Sequence, residues 1–530
     1  MRCDIAVIGA GHNALVAAAF LARAGLRIAV FERRPVLGGA CVTEELWPGY
    51  RVSRAAYVAG LLRPRLVREL GLEARGLRLL ARQPSSFTPL PDGEGLLLGA
   101  DPVATAASIR RFSPRDAAAW PRYEAFVDRV ARALEPLLDH TPPDSRRLRA
   151  RDLGAWAAVA RACFRLRAEL PQVGGLLLGP ARGLLESWFD SEPLRGTLAT
   201  DAVIGAWASP ATPGTGYVLF HHVMGETHGA RGVWAYVEGG MGRLSEAIAD
   251  AALAAGAQIR TEAPVRRVLV EGGRARGLLL EDGTEVAARA VVSGADPHRT
   301  LLGLVGRDLL PEAFAREVEA LDFRSPVLKI NAALGALPRF RAGAVATAGP
   351  EHSGTIHLGA TTLDDLERSF AAACRGELPE RPLVELTLPS ALDASLAPPG
   401  RHVASLFVQH VPWSPAGGGW EGLRESFADR VLALVDEVAP GFSASVLHRE
   451  VLAPPDLERI FGLTGGNIFH GAMSPDRLFL LRPLPGWARY RTPVSGLYLC
   501  GAGTHPGGGV MGACGRNAAR EVLHDLRRFA

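Results

Sequence analysis

The sequence predicts an α/β fold in which a Rossmann-type domain is interrupted by a mixed α+β domain. Three observations carry this. The chain starts with a strand, a glycine turn and a helix. A second strand then ends in an acid. Near residue 500 another strand runs through a glycine-rich turn into a last helix.

In the first unit, Asp4 is followed by Ile5-Ala6-Val7-Ile8, an uncharged apolar run that reads as a buried strand. Gly9-Ala10-Gly11-His12-Asn13-Ala14 has the Gly-x-Gly-x-x-Ala spacing, and residues 15–24 read as a helix rich in alanine and leucine. Gly9 permits the tight turn. Gly11 lets a pyrophosphate approach the backbone, and Ala14 keeps helix and strand close. The helix start, with His12 and Asn13, offers N–H groups and a positive dipole end to phosphate. Residues 26–31 read as the second strand. Glu32 closes it 23 positions after Gly9, where an acid that binds an adenosine ribose is expected.

Glu32 is followed by Arg33, and Gly38-Gly39 forms a turn able to bring backbone N–H groups to a cofactor; a plain Pro/Gly turn is the simpler alternative. Residues 64–70 predict a short helix with proline at its start and Gly71 past its end. Strands and hairpins are expected over residues 80–100, and an all-α insertion over 101–183, broken at Thr141-Pro142-Pro143-Asp144. Residues 173–178 and 184–189 are mostly apolar. Core packing explains them most simply, and a tunnel wall or membrane-facing patch is the sharper alternative.

A helix is expected after Gly239-Gly240-Met241-Gly242, then a strand at 258–260. An antiparallel meander is expected over 265–270, 275–281 and 286–293, its last strand returning to the nucleotide domain. Residues 301–460 form a second insertion with strands at 327–334, 383–388 and 402–409 and a helix at 421–438. The strand at 496–501 leads through Gly507-Gly508-Gly509 to a helix expected from about Val510-Met511-Gly512 to Leu526. This divides the chain into a discontinuous nucleotide domain, 1–80, 235–300 and 485–530, and a substrate or cap domain, 81–234 and 301–484.

Composition narrows the function. Across 530 residues, 48% are apolar and 22% charged, and the net charge is only +4 with no basic run, which argues against nucleic acid. No 18-residue apolar stretch predicts a transmembrane helix. With the first strand starting near residue 4, no targeting segment is expected ahead of it. The six cysteines include no Cys-x-x-Cys, so neither a redox disulfide nor a zinc site is expected, and a cytoplasmic setting fits. Among 59 basic residues Lys329 is the one lysine. Arginine-rich coding explains the other 58; the exception marks a place where a compact charge of adjustable pKa differs from a guanidinium.

The blocks GAGHNALVAAAFLARAG, GGMGRLSEAI and GLYLCGAGTHPGGGVMGACGRNAA resemble the flavin-containing superfamily of phytoene desaturases and amine oxidases. The stretches FERRPVLGGACVTEE, SRAAY, GYVLFHHVMG and GGNIFHGAMSPD resemble most nearly the pyridine nucleotide-disulfide oxidoreductase domain-containing protein 2 group. The resemblance runs from residue 2 to about 526 and implies a GR2/amine-oxidase-like fold with FAD. A nicotinamide and a disulfide, suggested by the group's name, find no support in a chain with one complete fingerprint and no Cys-x-x-Cys.

By resemblance, Gly9, Gly11 and Ala14 match the pyrophosphate turn, Glu32 the ribose acid, Gly38 and Gly39 the pair near the flavin, and Val265 the strand residue at the adenine. Relatives often carry arginine after the glycine pair. Here it is Ala40, so Arg33 or helix ends would meet the phosphate charge. Gly501, Gly509, Val510 and Met511 match the helix start facing the flavin. Lys329 falls on a strand that in amine oxidases places a lysine near flavin N5. The resemblance also carries His221, His222 and His470 without a role. It implies an FAD-dependent oxidoreductase that removes hydride from a lipophilic small molecule, with oxygen or a quinone as acceptor and a peripheral membrane contact in supplying it. A redox-neutral polyene isomerase and a non-catalytic flavoprotein that binds partners stay open as alternatives.

Overall fold

The apolar run Ile5–Ile8 lies at the centre of a five-stranded sheet because all four of its side chains are buried. Every pairing in that sheet is parallel. Its order is Gln258–Arg260, Ile28–Phe31, Ile5–Ile8, Ala290–Ser293, Leu497–Leu499. Strands buried on both faces need no alternation of polar and apolar residues, which is why four of these read as short, mostly apolar runs, while the edge strand Gln258–Arg260 keeps Gln258 and Arg260 exposed. The computed structural model describes residues 1–144, 149–227, 229–343 and 348–528.

Helix His12–Arg23 starts three residues earlier than its apolar pattern and packs between helices Gly242–Ala254 and Ala513–Arg528. The packing is close because the contact residues are small. A Cβ on Gly294 would come within 2.8 Å of the Ala14 Cβ, and one on Gly515 within 1.9 Å of the Asn13 carbonyl oxygen. Helix Pro64–Leu70 has the expected bounds, with Gly71 in the left-handed region at φ 61°.

A seven-stranded sheet forms the second layer. Its order is Val446–Leu452, Leu328–Leu334, His402–Gln409, Leu383–Thr387, Thr355–Leu358, Ser86–Pro89, Gly95–Leu98, antiparallel except where Thr355–Leu358 meets Ser86–Pro89. The helical insertion reaches beyond residue 183, through Glu192–Asp201 to Thr215–Val223. Within it Val173, Leu176, Leu185 and Phe189 are buried, so one face of the 173–189 stretch packs into the core while Leu178 stays exposed. The exposed apolar side chains nearby are Leu153, Phe164, Leu170 and Leu178.

Two expectations need correction. The meander is Val265–Glu271, Arg274–Leu280 and Glu285–Ala287; the predicted 286–293 strand divides, and Ala290–Ser293 joins the parallel sheet. The last helix begins at Ala513, so Val510 and Met511 lie in the turn before it, with Val510 at φ 57°. No helix among the described residues is long and apolar enough to cross a membrane.

Candidate functional site

A cavity of about 1060 Å³ connects the two sheets. At one end its wall is the first turn: Gly9, Gly11, His12, Asn13 and Ala14, with Glu32, Arg33 and Val265. Gly9 adopts φ 80°, and Gly11 is the helix N-cap without a side-chain cap of its own. The helix's first N–H groups are therefore left for a ligand. Gly38 bridges to Gly11, its N–H donating to the Ala10 carbonyl at 2.9 Å. A Cβ on Gly39 would sit 3.4 Å from the Gly11 Cα, so the paired glycines keep this crossing thin.

Glu32 is buried, and each carboxylate oxygen accepts one backbone hydrogen bond, from Ala10 N–H at 2.7 Å and Arg34 N–H at 3.0 Å. Each oxygen keeps further lone-pair capacity, enough to accept two ribose hydroxyls. Arg33 lines the cavity, but its guanidinium donates to the Arg459 and Ile460 carbonyls at 3.1 and 2.6 Å. It thus caps helix Pro454–Phe461. Arg299 is a second cation in the same wall.

Gly501, Gly509 and Val510 also line the cavity, as do His222 and His470. His221 and Met511 do not. Met511 is buried in the helical core and offers its carbonyl to Arg63 N–H at 3.2 Å, so of the 510–511 turn it is Val510 that lines the cavity. Gly239-Gly240-Met241-Gly242 is also off the cavity. Its glycines let the backbone lie against Thr43, where a Cβ on Gly240 would come within 2.3 Å of the hydroxyl.

The nucleotide end holds buried polar atoms with no partner among the described residues: His12 Nε2, Asn13 Oδ1 and His470 Nδ1. Burial holds the His12 imidazole neutral, its pKa pushed down to about 4, with the neighbouring His470 adding to the shift. Neutral orphaned groups, a bare helix start and a glycine cradle fit a dinucleotide.

The other end of the cavity lies on the seven-stranded sheet. Lys329 is 1% exposed. Its Nζ donates to the Ala55 carbonyl at 3.1 Å and sits 4.0 Å from the centre of the Tyr57 ring. Burial drives its pKa well below 10.5, against the opposing pull of Glu385 and Glu450. Register then sets Lys329, Phe407, Glu385 and His357 side by side on four adjacent strands. The Tyr57 hydroxyl donates to Glu385 Oε2 at 2.7 Å. Asp201, Arg82 and His357 complete this polar corner, while Trp120, Val127, Ile204, Leu219 and Phe407 make the surrounding wall apolar.

The profile of the flavin-containing amine oxidoreductases matches residues 15–523. The chain belongs to the flavin-containing amine oxidoreductase family. Like other members it is an FAD-dependent oxidoreductase, and the cavity's nucleotide end suits that cofactor. Among its relatives, the chain is 50% identical to a mouse protein named pyridine nucleotide-disulfide oxidoreductase domain-containing protein 2, over 99% of this chain and 94% of the mouse protein. It is 28% identical to the hydroxyneurosporene desaturase of Cereibacter sphaeroides, over 98% of each chain. A solved putrescine oxidase shares the fold, with TM-score 0.61, 18% identity and full coverage of both chains.

Tyr57, Asp201, His357 and Glu385 were missed by sequence reasoning. Three of them carry a common signal: a single titratable residue inside an apolar strand or helix end, as in Leu383-Val384-Glu385-Leu386 and Thr355-Ile356-His357-Leu358. A lone acid in a fully buried strand has to be neutralised, paired or used.

Proposed function

We propose that this oxidoreductase removes hydride from a lipophilic small molecule, in the manner of a dehydrogenase or desaturase. The observation that carries the reading is the continuous cavity joining the nucleotide turn to an apolar chamber floored by Lys329. In this reading Gly9, Gly11 and Ala14 hold the pyrophosphate, with His12 and Asn13 at the helix start. Glu32 holds the ribose and Val265 the adenine. Gly38, Gly39, Gly501, Gly509 and Val510 flank the ring. FAD, when bound, supplies the two-electron acceptor. The apolar wall positions the substrate and excludes water. Lys329, its pKa drawn well below the usual lysine range by burial, orders water where the chemistry occurs. Electrons then pass to oxygen or to a quinone.

The test is anaerobic bleaching of the flavin absorbance across amines, polyenes, quinols and acyl compounds, followed by reoxidation with air or a quinone. Bleaching by lipophilic compounds supports the reading. A flavin that dithionite reduces and none of them does overturns it. Leu153 and Phe164 are both 65% exposed, beside the exposed Arg161, Arg165 and Arg167, and support a peripheral membrane contact. Replacing Leu153, Phe164, Leu170 and Leu178 by serine should abolish flotation with anionic liposomes; unchanged flotation would remove that surface from consideration.

A further inference from the structure

The polar corner of the cavity does more than line it. Glu385 is 3% exposed, and it projects from a strand whose five side chains are all buried. Oε2 is engaged by the Tyr57 hydroxyl at 2.7 Å, while Oε1 has no hydrogen-bond partner among the described residues. A buried carboxylate oxygen without a partner is costly unless something in the cavity engages it. Here the residue forms part of the cavity wall, next in register to Phe407, with Lys329 one strand further on.

We propose that Glu385 is the proton acceptor of this cavity, its free Oε1 taking the proton lost from a carbon next to the hydride-donating carbon. The inference rests on the dehydrogenase reading and narrows its substrate class to hydrocarbons dehydrogenated at a carbon–carbon bond. Such a reaction breaks two C–H bonds. One hydrogen leaves with its electron pair, as hydride, to the oxidised flavin, which gains two electrons. The other leaves as a proton to the carboxylate, and the electron pair of its bond becomes the new carbon–carbon π bond. Glu385 is then a neutral acid, and returns its proton to water when the product departs. Loss of hydride from an amine, by contrast, leaves positive charge on nitrogen and takes no proton from a neighbouring carbon. A base that takes a proton from carbon is therefore needed for hydrocarbons, while on an amine it finds no such carbon proton to take.

The electrostatics agree. Burial pushes the Glu385 carboxyl up to about 7, against the Tyr57 hydrogen bond and the charges of Arg82 and Lys329. Asp201, in the same wall, is pushed up to about 8 by burial and by Glu385 itself, with Arg82 opposing. His357 is neutral, pushed down to about 3 by burial and then by Arg82. Its Nδ1 lies 2.9 Å from Thr200 Oγ1. Asp201 thus stays protonated while Glu385 titrates near neutrality, the condition for an efficient base. Lys329 is the other candidate, but its Nζ is directed to the Ala55 carbonyl and the face of the Tyr57 ring.

The experiment compares the FAD-loaded wild type with Glu385→Gln and Lys329→Met, using phytoene and limonene in micelles and cyclohexylamine and putrescine as probes. The expected result is hydrocarbon-driven bleaching that rises with pH through about 7 and slows about 10²-fold or more in Glu385→Gln, with the pH dependence lost. Lys329→Met should keep that pH dependence, and dithionite should still bleach every variant. Infrared difference spectra of the holoenzyme between acidic and alkaline pH should show a carboxylic acid band titrating near neutrality that Glu385→Gln lacks. Equal bleaching rates and pH profiles in wild type and Glu385→Gln overturn the assignment alone. So does bleaching by amines only, or the absence of that infrared band. A wild-type flavin that no probe bleaches overturns the dehydrogenase reading as well.

Discussion

Lys329 and Glu385 show how one physical cause acts in opposite directions on two neighbouring groups. Removing water disfavours the charged form of each, so the amine's pKa falls and the carboxyl's rises. Tyr57 stands between them, its ring under the amine and its hydroxyl on the acid. If Lys329 acts at the flavin, Lys329→Met should slow either flavin reduction or reoxidation about tenfold or more, read by stopped-flow absorbance. Unchanged traces in both half-reactions would exclude that role. Lys329 was legible because it is the one lysine in the chain. Glu385 was hidden among 55 acidic residues, and only its strand register, which pairs positions 385 and 329 through Phe407, makes it stand out.

At the scale of elements, four strands of the parallel sheet were readable because buried parallel strands write themselves as apolar runs near glycine turns. The start of the last helix was not. Val510 takes a left-handed conformation that a β-branched residue rarely adopts, so nothing in its chemistry announces that the helix waits until Ala513. The extent of the helical insertion was also missed, since helix Thr215–Val223 lies among glycines and aromatics and helix Glu192–Asp201 carries a proline and a glycine, as loops do. Contact between the first and last helices leads to a sharp expectation. Gly515→Ala would bring a Cβ within 1.9 Å of the Asn13 carbonyl and force the helices apart. It should destabilise the protein by about 3 kcal/mol and loosen FAD. Denaturant unfolding and the flavin retained after gel filtration measure both effects; full retention at unchanged stability would contradict the packing.

For the whole molecule, burial of titratable groups shapes stability against pH. Six histidines are held neutral, with pKa values pushed down to about 4 for His12, His222, His410 and His505 and to about 3 for His221 and His357, desolvation leading in each. Unfolded, each takes a proton near pH 6.5. Their contribution is therefore present above about 6.5 and is lost as pH falls towards their folded values. Glu385 and Asp201 act in the other sense. Their folded pKa values are raised, so their contribution is full below the ordinary carboxylate range and is lost as pH rises through about 7 and 8. Six groups against two place the stability maximum near neutrality, with a steep fall on the acid side. Thermal unfolding midpoints from pH 5 to 8 should show it, and a midpoint that climbs steadily into acid would refute it.

The parallel sheet has a consequence for how the molecule is made. Its central strand is at residues 5–8 and its outer strand at 497–499, while the other sheet takes strands from either side of the chain's middle. During synthesis the nucleotide turn emerges early but its sheet cannot close until nearly the whole chain has left the ribosome. Two half-built sheets must wait with open edges, a slow and non-local assembly that exposes apolar strands to other chains. Cofactor capture thus becomes a late event, and a chain released before residue 497 carries the fingerprint for FAD without the edge strand and glycine turn that complete its site.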